Sequence, residues 1–192
     1  MIKYILIFLI LCISFLSCEN PSDSNPQENS NNFYPLNENN LWRYYYTTMY
    51  NTGVHLTTNV KKDTLVENDK WYLVSGWIPY KTFGEYYLKN QSDGLWKKDR
   101  FTSSPYLYLK YPCKVNDSYE TPDEIVTVIS VNDTIKLFTT NQEYVTVQYK
   151  FVEIEGKHRD RYEYLVPNIG VIRIDYKSST ISSQDLDSLV IN

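Results

Sequence analysis

The 192-residue chain has no alanine, and only 6 glycines, 3 cysteines and 2 histidines. Each shortage closes off something. Alanine is the strongest helix former, and no segment keeps a helical period, so a helical bundle is excluded. No phosphate-binding glycine loop, G-x-S-x-G elbow or H-x-x-x-H pair is present. Cys12 lies inside an apolar leader and Cys18 at its end, which leaves Cys113 alone in the body of the chain. Neither an internal disulfide nor a cysteine metal cluster can form from one thiol, and a lone cysteine is expected to be buried as a small hydrophobe. Basic clusters are missing too. The net charge is −4, and −5 once Lys3 leaves with the leader, so nucleic acid is excluded as a partner and no basic face is offered to anionic lipid.

One apolar run is long, residues 5–16. Lys3 precedes it, and Ser17-Cys18 closes it. A basic start, a short greasy core and a small residue at the end make an export signal, and at ~20 residues for a spanning helix the run is too short to be an anchor. The cysteine makes it resemble a bacterial lipoprotein signal cut before Cys18, with Phe15 where such signals usually carry Leu. Residues 1–17 are therefore expected to be removed and Cys18 lipidated, tying the protein to the cell envelope, to the outer membrane in preference to the inner. Residues 18–32 carry no apolar side chain after Cys18 except prolines and read as a disordered tether.

The remainder, 33–192, is rich in the β-branched and aromatic residues that suit a pleated, half-buried surface, with 19 Tyr among them. Alternation and turn clusters predict strands over 41–49, 55–65, 71–78, 82–89, 95–101, 106–111, 125–131, 134–139, 145–151, 159–166, 171–176 and a short last strand, 188–191, that seals the sheet. Asp93-Gly94 and Asn132-Asp133 are read as hairpin turns. Trp42, Tyr44 and Tyr46 share one face of the first strand, and the inward rows are Val145, Val147, Tyr149, Phe151; Tyr162, Tyr164, Val166; and Ile172, Ile174, Tyr176. The expectation is all-β, a single antiparallel meander forming a twisted sheet or half-barrel, with a closed lipocalin-like barrel or a sandwich as alternatives.

Tyr34-Pro35, Asn39 and Trp42 recur as Tyr111-Pro112, Asn116 and Tyr119, 77 residues later (34 to 111). Two related halves are expected, starting near 34 and 111. At Pro35-Leu36, Asn39, Trp42 and Tyr44, and again at Pro167-Asn168-Ile169-Gly170-Val171-Ile172, the chain resembles a broad group of uncharacterised Gram-negative envelope lipoproteins. Their domains open with P-L-x-x-G-x-x-W-x-Y and close near P-G-V-G. Asn39, Asn116 and Asn168 stand where that pattern has Gly, and Asn tolerates the left-handed backbone that Gly otherwise supplies. The resemblance implies a twisted antiparallel sheet and no particular activity.

Chemistry is scarce. His55 has no carboxylate near it in sequence, and His158 sits among cations beside a turn. Asp123-Glu124 and Asp185-Leu186-Asp187 lack calcium-loop grammar. No cofactor or metal is expected, and the chain is read as non-catalytic, with a secreted hydrolase as the unfavoured alternative. The positive feature is a possible ligand face of Trp42, Tyr44, Tyr46, Trp71 and Trp77, able to stack sugars or hold an acyl chain, although core packing explains the same residues. The reading is a lipid-anchored binding or assembly module for an envelope protein, glycan or lipid, with a carrier of an apolar ligand as the runner-up.

Overall fold

The computed structural model describes residues 33–48, 51–76, 84–100, 104–154, 160–177 and 182–192. The leader, Cys18, the tether, Trp77 and His158 lie outside the described residues. Twelve strands form: β1 Leu41–Thr48, β2 Asn51–Val66, β3 Asp69–Gly76, β4 Gly84–Gln91, β5 Gly94–Asp99, β6 Tyr106–Lys110, β7 Ser118–Glu120, β8 Glu124–Lys136, β9 Glu143–Glu153, β10 Arg161–Val166, β11 Gly170–Tyr176 and β12 Ser182–Val190. Their order in one antiparallel sheet is β6-β5-β4-β3-β2-β1-β12-β11-β10-β9-β8-β7. The chain thus winds around a curled sheet as a meander whose first and last strands pair, Leu41 opposite Val190 and Thr48 opposite Ser182. Among the described residues no ladder joins β6 to β7, so the sheet is open there, as in a half-barrel and unlike a closed barrel.

Four sequence expectations are corrected. Asn132-Asp133 is no hairpin; β8 runs through it, and the polar pair is taken up by a register irregularity between Ser130 and Asp133. The last strand is longer than the short one expected at 188–191, and it joins the sheet at its centre, between β1 and β11. On β9, Val147, Tyr149 and Phe151 are buried, but Val145 is 62% exposed and Thr146 is buried in its place. The same irregularity opposite them, with Thr146 Oγ1 donating to the Asp133 carbonyl, breaks the alternation. On β10 the parity is reversed. Arg161, Glu163 and Leu165 are the most buried row; of the expected row Tyr164 is buried, while Tyr162 and Val166 are only partly covered. Charged side chains can occupy an interior when they pair with one another, which alternation cannot reveal.

The turns that open β1 and β7 share their backbone bonding. Asn39 N–H donates to Val60 O, Asn40 N–H to Asn37 O, and Val60 N–H to Asn40 O. Asn116 N–H donates to Val128 O, Asp117 N–H to Lys114 O, and Val128 N–H to Asp117 O. Asn39, Asn116 and Asn168 have φ of 67°, 71° and 66°, the left-handed region that the Gly-to-Asn departures called for. Replacing Asn39 or Asn116 by Gly should leave stability nearly unchanged, whereas Ala should cost about 1 kcal/mol at each. Urea midpoints of the four variants check this; equal losses for Gly and Ala would assign the stability to the amide side chains and not to the backbone.

Aromatic side chains fill the interior. An eight-strand barrel is just filled by its side chains, so a twelve-strand shell needs bulk, and Trp42, Tyr149, Phe151 and Phe33 are the largest of the fully buried ones. Residues 33–36 leave the sheet to cross its end, burying Phe33, Tyr34 and Leu36 in the same core. Buried hydroxyls need partners, and these tyrosines find them on strands that are not neighbours. Tyr44 on β1 donates to Val171 O on β11 at 2.8 Å, and Tyr149 on β9 donates to Lys110 O on β6 at 2.7 Å. At the open seam, the Tyr119 hydroxyl of β7 donates to Tyr108 O and accepts from Lys110 N–H. One side chain therefore satisfies two ladder groups of edge strand β6, where a neighbouring strand would otherwise be required.

Candidate functional site

The interior holds an ionic cluster. Lys97 and Asp99 come from β5, Tyr108 from β6, Glu124 from β8, and Arg161 and Glu163 from β10. A bulge places Tyr108: Leu95 pairs with Leu109 and Trp96 with Leu107, so Tyr108 is the extra residue on β6. Its hydroxyl lies 2.8 Å from both oxygens of Glu163 and donates to that carboxylate. Arg161 Nε donates to Glu163 Oε1 at 2.7 Å, and Arg161 also pairs with Glu124. The guanidinium carbon stands 3.9 Å from the Phe151 ring centre. The Lys97 ammonium lies 3.5 Å from Asp99, and 4.9 Å and 5.3 Å from the ring centres of Tyr86 and Tyr108.

Glu163 is 0% exposed and Arg161 3%. Burial works against the Arg161 charge, but the Glu163 and Glu124 carboxylates beside it hold the guanidinium well above its ordinary pKa. Burial also pushes the Tyr44 and Tyr108 hydroxyls well above theirs, with neighbouring negative charge adding to it. These phenols stay protonated and act as donors. Beside the cluster is a cavity of about 50 Å³ lined by Tyr34, Tyr44, Tyr86, Lys97, Glu163 and Gln184, among others. That space suits a few water molecules, each needing at least ~10–15 Å³. An acyl chain does not fit.

A larger space lies at the rim. A groove of about 350 Å³ is lined by residues 34–37 together with Lys70, Tyr72, Lys89, Asn90 and Asn168. Lys70 pairs with Asp63 at 2.9 Å and lies 5.2 Å over the Tyr72 ring, and Lys89 pairs with Asp69. Asn90 Nδ2 donates to Tyr34 O at 2.7 Å, while its Oδ1 is buried with no hydrogen-bond partner among the described residues. The groove wall is fixed from behind, because Tyr34 and Leu36 are anchored in the core.

The expected aromatic face is divided. Trp42 and Tyr44 are buried inside and Tyr46 packs against the same core. Trp42 donates from Nε1 to Ile169 O at 2.7 Å. Trp71 is three residues from Val74 on the regular strand β3, hence on the other face of the sheet, and it is absent from the interior cluster. Tyr86 lines the inner cavity, and Trp96 on the outer face donates to Asp93. Cys113 is half-buried with its sulfur 3.9 Å from the Tyr149 hydroxyl, and burial pushes the thiol up.

His55 does meet a carboxylate, Asp187 of β12 at 3.7 Å, delivered by tertiary structure and shared with Arg43. Among the described residues no three histidine, cysteine or acidic side chains gather as metal ligands. The cluster residues Lys97, Arg161 and Glu163 were missed in the sequence, and Glu124 stood there only as half of the Asp123-Glu124 pair. The available signal was Arg161-x-Glu163, opposite charges two apart and so on one face of a strand.

No family model matches the chain, and no curated protein matches it. Two solved structures share its fold. One, from Bacteroides fragilis, is described as an exported protein with a YmcC-like fold, with a TM-score of 0.53 and 13% identity over 82% of this chain and 98% of that one. The other, described as a lipoprotein from Parabacteroides distasonis, has a TM-score of 0.50 and 12% identity over 85% of this chain and 100% of that one. At such identities the likeness is one of fold.

Proposed function

We propose that the protein is an envelope lipoprotein, anchored through lipid on Cys18, whose β domain is a non-catalytic binding module and not a carrier of apolar ligands. The observation that carries the second half is the filled interior. Trp42, Tyr149 and Phe151 occupy the space a carrier would keep open, and the cavity of about 50 Å³ beside them is too small for an acyl chain. A carrier needs an apolar chamber of some hundreds of Å³. The charged groups inside bind one another: Glu163 accepts from Tyr108 and Arg161, and Arg161 also engages Glu124. That arrangement suits a fixed scaffold better than a general acid or base, which must exchange protons with substrate.

The first half rests on the leader's order of Lys3, apolar run, Ser17 and Cys18, supported by the fold shared with proteins described as exported and as a lipoprotein. The outer membrane is the favoured location. Metabolic labelling with an alkyne-bearing palmitate should mark the wild-type protein, and Cys18→Ala should abolish the label and release the protein from the membrane fraction. Label retained on the Cys18→Ala protein would overturn the anchor.

A further inference from the structure

We infer that the rim groove lined by residues 34–37, Lys70, Tyr72, Lys89 and Asn90 is a binding site for a neutral saccharide. The inference rests on the reading of the domain as a binding module and adds the chemical class of what it binds.

Size comes first. About 350 Å³ falls at the small end of ligand sites, which run from about 300 to 1,000 Å³, and suits one end of a glycan. Position agrees, since barrel mouths are favoured places for such sites.

The wall chemistry then selects the ligand. Asn37, Asn90 and Asn168 line the groove; a carboxamide both donates and accepts, and Asn37 and Asn90 each commit one N–H, to Asn192 O and Tyr34 O. Sugar hydroxyls do the same, so the two sets match without any change of protonation. The cations do not favour an anion. Lys70 is held by Asp63 at 2.9 Å and Lys89 by Asp69, so a ligand carboxylate or phosphate would have to compete with carboxylates already in place. A hydroxyl needs only to share an ammonium that has donors to spare.

Tyr72, partly buried beneath the Lys70 ammonium, and the half-buried Pro35 add apolar surface to the groove lining for the C–H groups of a pyranose. Asn90 is held in place on the lining by the hydrogen bond from its Nδ2 to Tyr34 O at 2.7 Å.

The test uses the full-length protein in a zwitterionic, sugar-free detergent. Maltose, cellobiose, N,N′-diacetylchitobiose and galactose serve as neutral probes and digalacturonate as the anionic one, followed by saturation-transfer NMR and calorimetric titration. At least one neutral probe should bind in the millimolar range. Tyr72→Ala and Asn90→Ala should each weaken it about tenfold, the size of one lost stacking or hydrogen-bonding contact. Asn37→Trp, at an exposed position outside the core, should block the groove in a folded protein. Lys61→Gln, exposed and away from the groove, should change nothing.

The inference is overturned if no neutral probe binds at tens of millimolar, if digalacturonate binds better than any of them, or if Asn37→Trp leaves affinity intact. Failure on these grounds in a protein that still carries lipid at Cys18 removes the saccharide and leaves the anchor standing.

Discussion

Replacing Glu163 by alanine is expected to destabilise the protein by about 3–5 kcal/mol, which is the usual cost of stripping one partner from a buried ion pair. Glu163 is fully buried, accepts from Arg161 Nε at 2.7 Å and receives the Tyr108 hydroxyl. Without it the Arg161 guanidinium keeps Glu124 and the Phe151 ring but loses its most enclosed counter-charge. Domains of this kind have about 5–15 kcal/mol in hand, so the loss is a large share of the whole. Tyr108→Phe should cost less, about 1.5–3 kcal/mol, because it removes one hydrogen bond to a charged group.

Tyr108 and Glu163 are each other's hydrogen-bond partners, so the double variant should fall short of the sum of the two losses. Denaturant midpoints of the two single variants and the double one decide the matter. Additive losses would mean that Tyr108 and Glu163 act independently, and a Glu163→Ala midpoint equal to that of the parent would mean that water reaches the guanidinium.

Trp42→Ala should be comparably severe, about 3–5 kcal/mol, as for other large buried aromatics. Trp42 is 0% exposed, tilts against Tyr34 with ring centres 5.4 Å apart, and ties β1 to the β10–β11 turn through Ile169 O. The turn is shaped for it. Gly170 has φ of +104°, and a Cβ there would come within 3.0 Å of the indole nitrogen and 3.1 Å of Tyr34. Trp42→Phe separates the contributions. It keeps most of the apolar burial and leaves the Ile169 carbonyl without its donor, for which about 1–3 kcal/mol is expected. Thermal unfolding followed by circular dichroism measures both. If Phe were as damaging as Ala, the indole hydrogen bond would outweigh the packing, contrary to the account of the core given above.

Most of the strands were legible because alternation is a local signal. β11 is the plainest case: Ile172, Ile174 and Tyr176 are buried as the sequence pattern requires, with Arg173 and Asp175 less so. β10 shows where the signal fails. RYEYLV offers a polar-apolar row and an aromatic-apolar row, and a reader who puts aromatics inside chooses the wrong one. The pairing partners that make Arg161 and Glu163 tolerable inside lie on β6 and β8, up to 55 residues away in sequence. Asn132-Asp133 failed for the opposite reason: a good local turn signal was overridden by the long ladder of β8 with β9. Trp71 was assigned to the ligand face by residue type alone, and strand parity puts it on the other side.

The candidate groove was not legible at all. Its walls come from residues 34–37, β3, β4 and the β10–β11 turn, which meet only when the sheet curls. Taken alone, the amino-acid order determined an all-β chain with left-handed turns at Asn39, Asn116 and Asn168, because backbone propensity and alternation act within a few residues. The tertiary structure decided which face is inside, that β12 closes against β1, and that charges and tyrosine hydroxyls bridge the interior. Those outcomes depend on partners brought from far along the chain, and burying a charge is favourable or ruinous according to whether its partner arrives.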